Sequence, residues 1–178
     1  MAVDEELISM IANGNISAFE QFYKDTYKQV YVFILSMTKC RHTAEDLMHD
    51  TYMRIFEKAK NYQCGTSVKT WIMTIARNLT YDYFRKTKRL ISFEESGTED
   101  DSSYGYVDSS GVDEHIELEN ELKKLSCINA QIVVLYDICG YKHREIAEIL
   151  SVPEGTVRRR YKEAIRQLAR EMEGELNE

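Results

Sequence analysis

Residues 141–170 read YKHREIAEILSVPEGTVRRRYKEAIRQLAR, and this stretch decides the fold. Its first part, Lys142 to Leu150, places Ile146, Ala147, Ile149 and Leu150 at helical spacing, which predicts a short amphipathic helix. A three-residue turn, Ser151-Val152-Pro153, follows it. A second helical pattern then begins. At about 100° per residue, Val157, Tyr161, Ala164 and Leu168 fall in one apolar stripe, with Ile165 at its margin. The opposite face centres on Gly155, Arg159, Lys162, Glu163 and Arg166, and Arg158 and Arg160 flank the stripe. A charged helix face usually means only contact with solvent. Two helices joined by so short a turn change that weighing, because this is the helix-turn-helix pattern, whose second helix enters a DNA groove.

The contact chemistry follows from position. Flanking cations meet phosphates, while residues on the outer face reach base edges. Arg159 is the candidate for a bidentate contact to guanine, and Glu163 can accept from cytosine or hold Arg159 one turn away. Thr156 and the early amides of the helix suit a backbone phosphate.

Upstream, residues 1–90 carry further helical periodicity. Leu7, Ile8 and Ile11 predict a short helix stopped by Asn13-Gly14-Asn15. Phe19, Phe22, Tyr23, Tyr27, Val30, Phe33, Ile34 and Met37 predict a long one. Thr43 reads as the N-cap of a third, with Asp46 at the capping-box position and Leu47, Met48, Tyr52, Ile55 and Phe56 buried. Beside that stripe lie Asp46, His49, Asp50 and Arg54, a face suited to docking another protein. A polar loop, Asn61 to Ser67, precedes a helix from about Val68 to Lys88. That helix ends in Arg85, Lys86, Lys88 and Arg89, with aromatics interleaved at Trp71, Tyr81, Tyr83 and Phe84 and Tyr62 in the loop before it. Cations beside rings suit a single strand, whose bases stack while its phosphates follow the charges. Asn78 can hydrogen-bond a base edge; Trp71 and Tyr83 are expected in the core.

Between the two helical regions, residues 91–113 are rich in Ser, Gly, Asp and Glu and poor in aliphatics, which predicts a flexible acidic linker. The expected fold is therefore all-α: a helical domain over 1–90, the linker over 91–113, and a helix-turn-helix domain over 114–178. The charge is as unevenly spread as the apolar residues. The net −7 taken alone disfavours nucleic acid, yet eleven of the 30 acidic residues lie in 93–121 with no Lys or Arg among them. Outside that segment 23 basic residues face 19 acidic ones. Local patches matter more than the sum, since screening acts over about 8 Å at physiological salt.

Other classes are excluded on chemistry. No apolar run approaches the roughly 20 residues that span a bilayer, and the acidic N-terminus is unlike a signal peptide, so a cytoplasmic protein without stable membrane insertion is expected. Cys40, Cys64, Cys127 and Cys139 form no CxxC pair and no cysteine–histidine cluster, so neither a metal site nor a disulfide framework is expected. No paired carboxylates, nucleophile–base pair or phosphate-binding glycine loop is present, so no catalytic residue, cofactor or enzyme activity is expected.

Two blocks in this order resemble the extracytoplasmic-function (ECF) sigma factors of bacterial RNA polymerase. AEDLMHDTYMRIF and TWIMTIARNLTYDYFRK resemble the family's region 2, and EIAEILSVPEGTVRRRYKEAIRQL its region 4. The resemblance implies a region 2-like bundle and a region 4-like helix-turn-helix domain. It implies core RNA polymerase and promoter DNA, both duplex and melted strand, as partners, together with an anti-sigma factor. Asp46, Leu47, His49 and Asp50 would dock on the largest polymerase subunit. Tyr62, Asn78, Tyr81, Arg85, Lys86, Lys88 and Arg89 would engage the −10 element. Thr156, Arg158, Arg159, Arg160, Lys162, Glu163 and Arg166 would engage the −35 element. The chain departs from the family pattern at His49, where Gln is usual, at Val68, a frequent Phe, and at Glu163 and Ile165, where basic residues are common. The other reading of the same helices is a dimeric helix-turn-helix regulator, which would need a sensor domain or dimer helix in the first ninety residues.

Overall fold

In the computed structural model, residues 5–65, 67–94 and 115–175 are described, and every regular element among them is helical. Helix α1 (Glu5–Ala12) is short and is followed by α2 (Ile16–Thr38), α3 (Arg41–Lys58), a 3-10 turn at Ala59–Asn61, and α4 (Val68–Glu94). The second half holds α5 (His115–Lys124), α6 (Cys127–Val133), a π-helical turn at Val134–Ile138, α7 (His143–Leu150) and α8 (Glu154–Glu175).

Local chemistry sets the boundaries. Asn15, read above as part of a stop, also starts α2, because its side-chain oxygen accepts the Ala18 N–H at 3.0 Å. Helix α2 ends at Lys39, which adopts the left-handed conformation (φ 51°) and donates its N–H to Leu35 O at 2.8 Å. Thr43 is not the N-cap of α3. The helix begins at Arg41 after an extended Cys40, and the Thr43 hydroxyl turns back to Cys40 Sγ at 3.4 Å. Helix α4 runs on to Glu94, six residues past the expected stop and into the segment read as linker. The rest of that linker reading, 95–113, lies outside the described residues, and so does position 114.

The first unit packs around α2. Phe22, Val30, Phe33 and Ile34 meet Ala44, Leu47 and Ile55 of α3 and Ile72, Met73 and Ala76 of α4, all at or below 5% exposure. One polar pair sits inside this core. Thr26 Oγ1 donates to Phe22 O at 2.7 Å, so the 2.6 Å contact to Tyr52 Oη has the phenol as donor. In the second unit Leu125, Ile132, Leu135, Ile146, Ile149, Val157 and Ala164 form the buried face.

The two units touch. Helix α2 packs on α6, and α4 packs on α7. Lys39 Nζ donates to Leu125 O at 2.5 Å, just past the end of α5. Arg77 Nη1 donates to Ile149 O in the last turn of α7, and to Ser151 Oγ at 3.0 Å. Both cations thus sit on carbonyls that helix ends leave unsatisfied, where the backbone dipoles favour positive charge. The Tyr141 hydroxyl adds a bond to Lys69 O at 3.2 Å.

Candidate nucleic-acid interface

The turn between α7 and α8 is held tightly. Ser151 takes φ 56°, and Val152 N–H returns to Ala147 O at 3.1 Å. Ile146, Ile149 and Leu150 then bury against Val157 and Ala164, which fixes the rotation of α8. Tyr161, in the apolar stripe, donates to Asp137 at 3.0 Å and packs on Tyr136 and His143, bracing α8 on the π turn. With that side committed, Arg158, Arg159, Lys162 and Arg166 are exposed, and Thr156, Arg160 and Glu163 are half-buried. Each arginine of the first two turns meets a carboxylate: Arg158 on Glu154 at 2.6 Å, Arg159 on Glu163 at 2.6 Å, and Arg160 on Glu163 at 3.7 Å. The Thr156 N–H is already donated to Pro153 O at 2.9 Å, leaving its hydroxyl rather than its amide for a phosphate. Ile165, at the stripe margin, is 40% exposed.

On α4, positions 78, 81, 85 and 88 follow one face at three- and four-residue steps. Asn78, Tyr81, Arg85, Lys86 and Lys88 are all exposed. Asn78 Oδ1 accepts from Arg77 Nη2 at 3.0 Å, and the Arg77 guanidinium lies 6.0 Å from the centre of the Tyr81 ring. Burial lowers the Arg77 pKa and the nearby Tyr81 opposes that shift. Arg85 pairs with Asp82 at 2.6 Å. The Arg89 side chain lies outside the described part of the structure. Tyr83, expected in the core, is 38% exposed, and it is the neighbouring Phe84 that packs on the core.

The loop before α4 sits at the head of this face. Tyr62 is half-buried, edge-on to Trp71 with centroids 5.2 Å apart. Gly65 takes φ 91°, a conformation that suits glycine. Glu5 Oε1 accepts the Gly65 N–H at 2.7 Å and lies 3.4 Å from the Tyr62 hydroxyl. A cleft of about 380 Å³ lies alongside, lined by Gly65, Ser67, Thr70, Trp71 and, from the other unit, Glu148.

Helix α3 presents a separate face. Asp46, His49 and Asp50 are exposed, whereas Leu47 is buried at 5% and lies in the core, one step around the helix from Asp46. Sequence reasoning passed over Met53, 61% exposed and seven residues past Asp46 on the same face. It also placed Phe56 in the core, but α1 leaves its ring 41% exposed above a cleft of about 600 Å³. Among the described residues no group of three metal-ligating side chains occurs, and no helix is long and apolar enough to cross a membrane.

A helical bundle bearing a basic, aromatic face, followed by a helix-turn-helix with its own basic face, defines a two-part DNA-binding protein of the sigma-70 class. Residues 22–90 match Sigma-70 region 2, and residues 115–168 match Sigma-70, region 4. The chain belongs to the ECF RNA polymerase sigma factors. It is 30% identical to the ECF RNA polymerase sigma factor SigW of Bacillus subtilis (strain 168), over 93% of this chain and 96% of that one. Identity to SigX of the same organism is 27%, over 86% of this chain and 83% of its relative. Among solved structures, CnrH in complex with the cytosolic domain of CnrY shares the fold with a TM-score of 0.70 at 20% identity, covering 96% of this chain and 97% of that one. The sigma factor RpoE of Bartonella quintana, solved with the anti-sigma factor NepR, superposes with a TM-score of 0.69 at 25% identity, covering 87% of this chain and 96% of that one.

The chain is an alternative sigma factor that directs transcription initiation, and sigma factors are initiation factors rather than enzymes. A dimeric regulator is not favoured, because region 2 occupies the place where such a protein would carry its sensor or dimer domain.

Proposed function

We propose that the two DNA faces divide promoter recognition between them, with residues 1–90 serving the −10 element and 114–178 the −35 element across the connecting segment 91–113. The observation that carries this reading is the exposed row of Arg158, Arg159, Lys162 and Arg166 on a helix rotated into place by a tight turn. Arg159 reads a base edge in the major groove, and Arg158, Arg160 and Arg166 hold phosphates. On α4, Asn78 and Tyr81 with Tyr62 in the loop take an unstacked base, while Arg85, Lys86, Lys88 and Arg89 follow the backbone. Strand opening then needs no covalent chemistry. It needs tighter binding of the melted strand than of the duplex, offsetting an unpairing cost of a few kcal/mol.

The Asp46, His49 and Asp50 face of α3 docks on core polymerase, with Leu47 supporting it from beneath. The protein acts in the cytoplasm, where polymerase and promoter are found, and an anti-sigma factor restrains it by covering the same surfaces. Co-purification with core polymerase and run-off transcription test this reading. Promoter-specific transcripts that depend on this chain are expected. Operator binding by the chain alone, with no initiation by core enzyme, would replace it with the regulator reading.

A further inference from the structure

We propose that Glu5 is a positioning residue for −10 recognition, acting through the loop ahead of α4; the proposal rests on the assignment of that loop to the −10 element. Glu5 opens α1, sixty residues away in sequence from the glycine it binds. Its carboxylate Oε1 accepts the Gly65 N–H at 2.7 Å, a charge-assisted bond at the tip of the loop, and stands 3.4 Å from the Tyr62 hydroxyl. One carboxylate oxygen thus ties two points of the same short loop. The first is a glycine whose positive φ turns the chain. The second is an aromatic ring set edge-on against Trp71 at the root of α4.

Such a tether matters because the loop lies at the surface, where a fixed point sets which arrangement it presents. Gln63, Cys64, Gly65 and Ser67 are exposed. Reading a base requires donors and acceptors fixed to within a fraction of an ångström, and a loop free to turn at Gly65 would present several arrangements to the strand. Glu5 favours one of them without touching DNA. A role limited to the dipole of α1 would be shared by Glu6, which lies in the same first turn but carries neither of these hydrogen bonds.

The test uses holoenzyme reconstituted with full-length chain and a set of promoters carrying each base in turn across the −10 element. Glu5→Ala is expected to narrow the ratio between preferred and disfavoured −10 bases by about fivefold, the effect of losing one such hydrogen bond. Glu5→Gln, which keeps an acceptor of the same reach, should restore most of that ratio, and Glu6→Ala should leave it unchanged. Affinity for core polymerase and the −35 preference should stay at wild-type values in all three. An unchanged −10 ratio in Glu5→Ala overturns the proposal, and so does an equal loss on every promoter. Tyr62→Ala and Asn78→Ala in the same assay separate the two levels. If they alter the −10 ratio and Glu5→Ala does not, only the tether fails. If none of them alters it, the loop assignment fails as well.

Discussion

The arginines of α8 stand out first for how they are held. Arg158 and Arg159 each meet a glutamate one turn away at 2.6 Å, and Glu163 also draws Arg160 to 3.7 Å. Exposed pairs of this kind are worth about 0–1 kcal/mol, so a phosphate or guanine displaces them at small cost while the pairs keep the side chains extended along the helix. Replacing Arg159 with Ala should relax preference at one −35 base pair by about 1–3 kcal/mol, read as transcription from −35 variants with reconstituted holoenzyme. Unchanged selection there would move base reading to another residue. Glu163→Gln removes the anion that Arg159 and Arg160 share. Non-specific duplex binding should tighten, and the slope of log affinity against log salt should steepen by about 0.9. A flat response would mean that Glu163 already faces away from the DNA. Of this arrangement, the exposed cations were legible from spacing alone, since a 3.6-residue period fixes which side a helix buries. The engagement of the Thr156 amide was not, because it depends on where Pro153 places its carbonyl.

Between elements, the α2–α3 contact shows how a polar group is carried inside the core of region 2. Tyr52 donates to Thr26, whose own proton goes to Phe22 O, so every hydroxyl hydrogen in the chain of bonds has an acceptor. Burial pushes the Tyr52 phenol well above its usual value. A raised folded pKa contributes stability that is fully present below the unfolded value, about 10, and is lost as pH rises toward the folded one. Tyr52→Phe should therefore cost about 1 kcal/mol at pH 7 and reduce the loss of stability above about pH 10, measured by urea unfolding at both pH values. Tyr141, buried and raised in the same direction, keeps its own share of the alkaline loss. Equal alkaline losses in wild type and variant would remove Tyr52 from that account. The helices themselves were readable from the apolar period, down to the three-residue turn before α8. Phe56 and Tyr83 were misplaced because periodicity shows which face of a helix is apolar, not how far the neighbouring helix extends to cover it.

At the scale of the whole molecule, the contact between the two units had no local signature. The bonds from Lys39, Arg77 and Tyr141 to Leu125 O, Ile149 O and Lys69 O join residues 72 to 86 positions apart, and these three use backbone carbonyls, which every sequence offers alike. Lys39 and Arg77 nonetheless do one job in two places, each capping a helix end of the second unit. The cleft lined by Gly65, Thr70 and Trp71 is faced from the second unit by Glu148, an anion where the proposed strand would lie. Lys39→Met removes one clamp at the end of α2, a residue outside both proposed DNA faces. In the absence of polymerase this variant should show a larger radius of gyration by X-ray scattering and several-fold tighter binding to single-stranded −10 DNA. Arg77→Ala should expand the protein in the same way, but it lies beside Asn78 and so serves only the scattering measurement. An unchanged radius in both variants would show that α2–α6 and α4–α7 packing holds the units together without the two cations. Expansion without a gain in strand binding would show that Glu148 does not obstruct the −10 face.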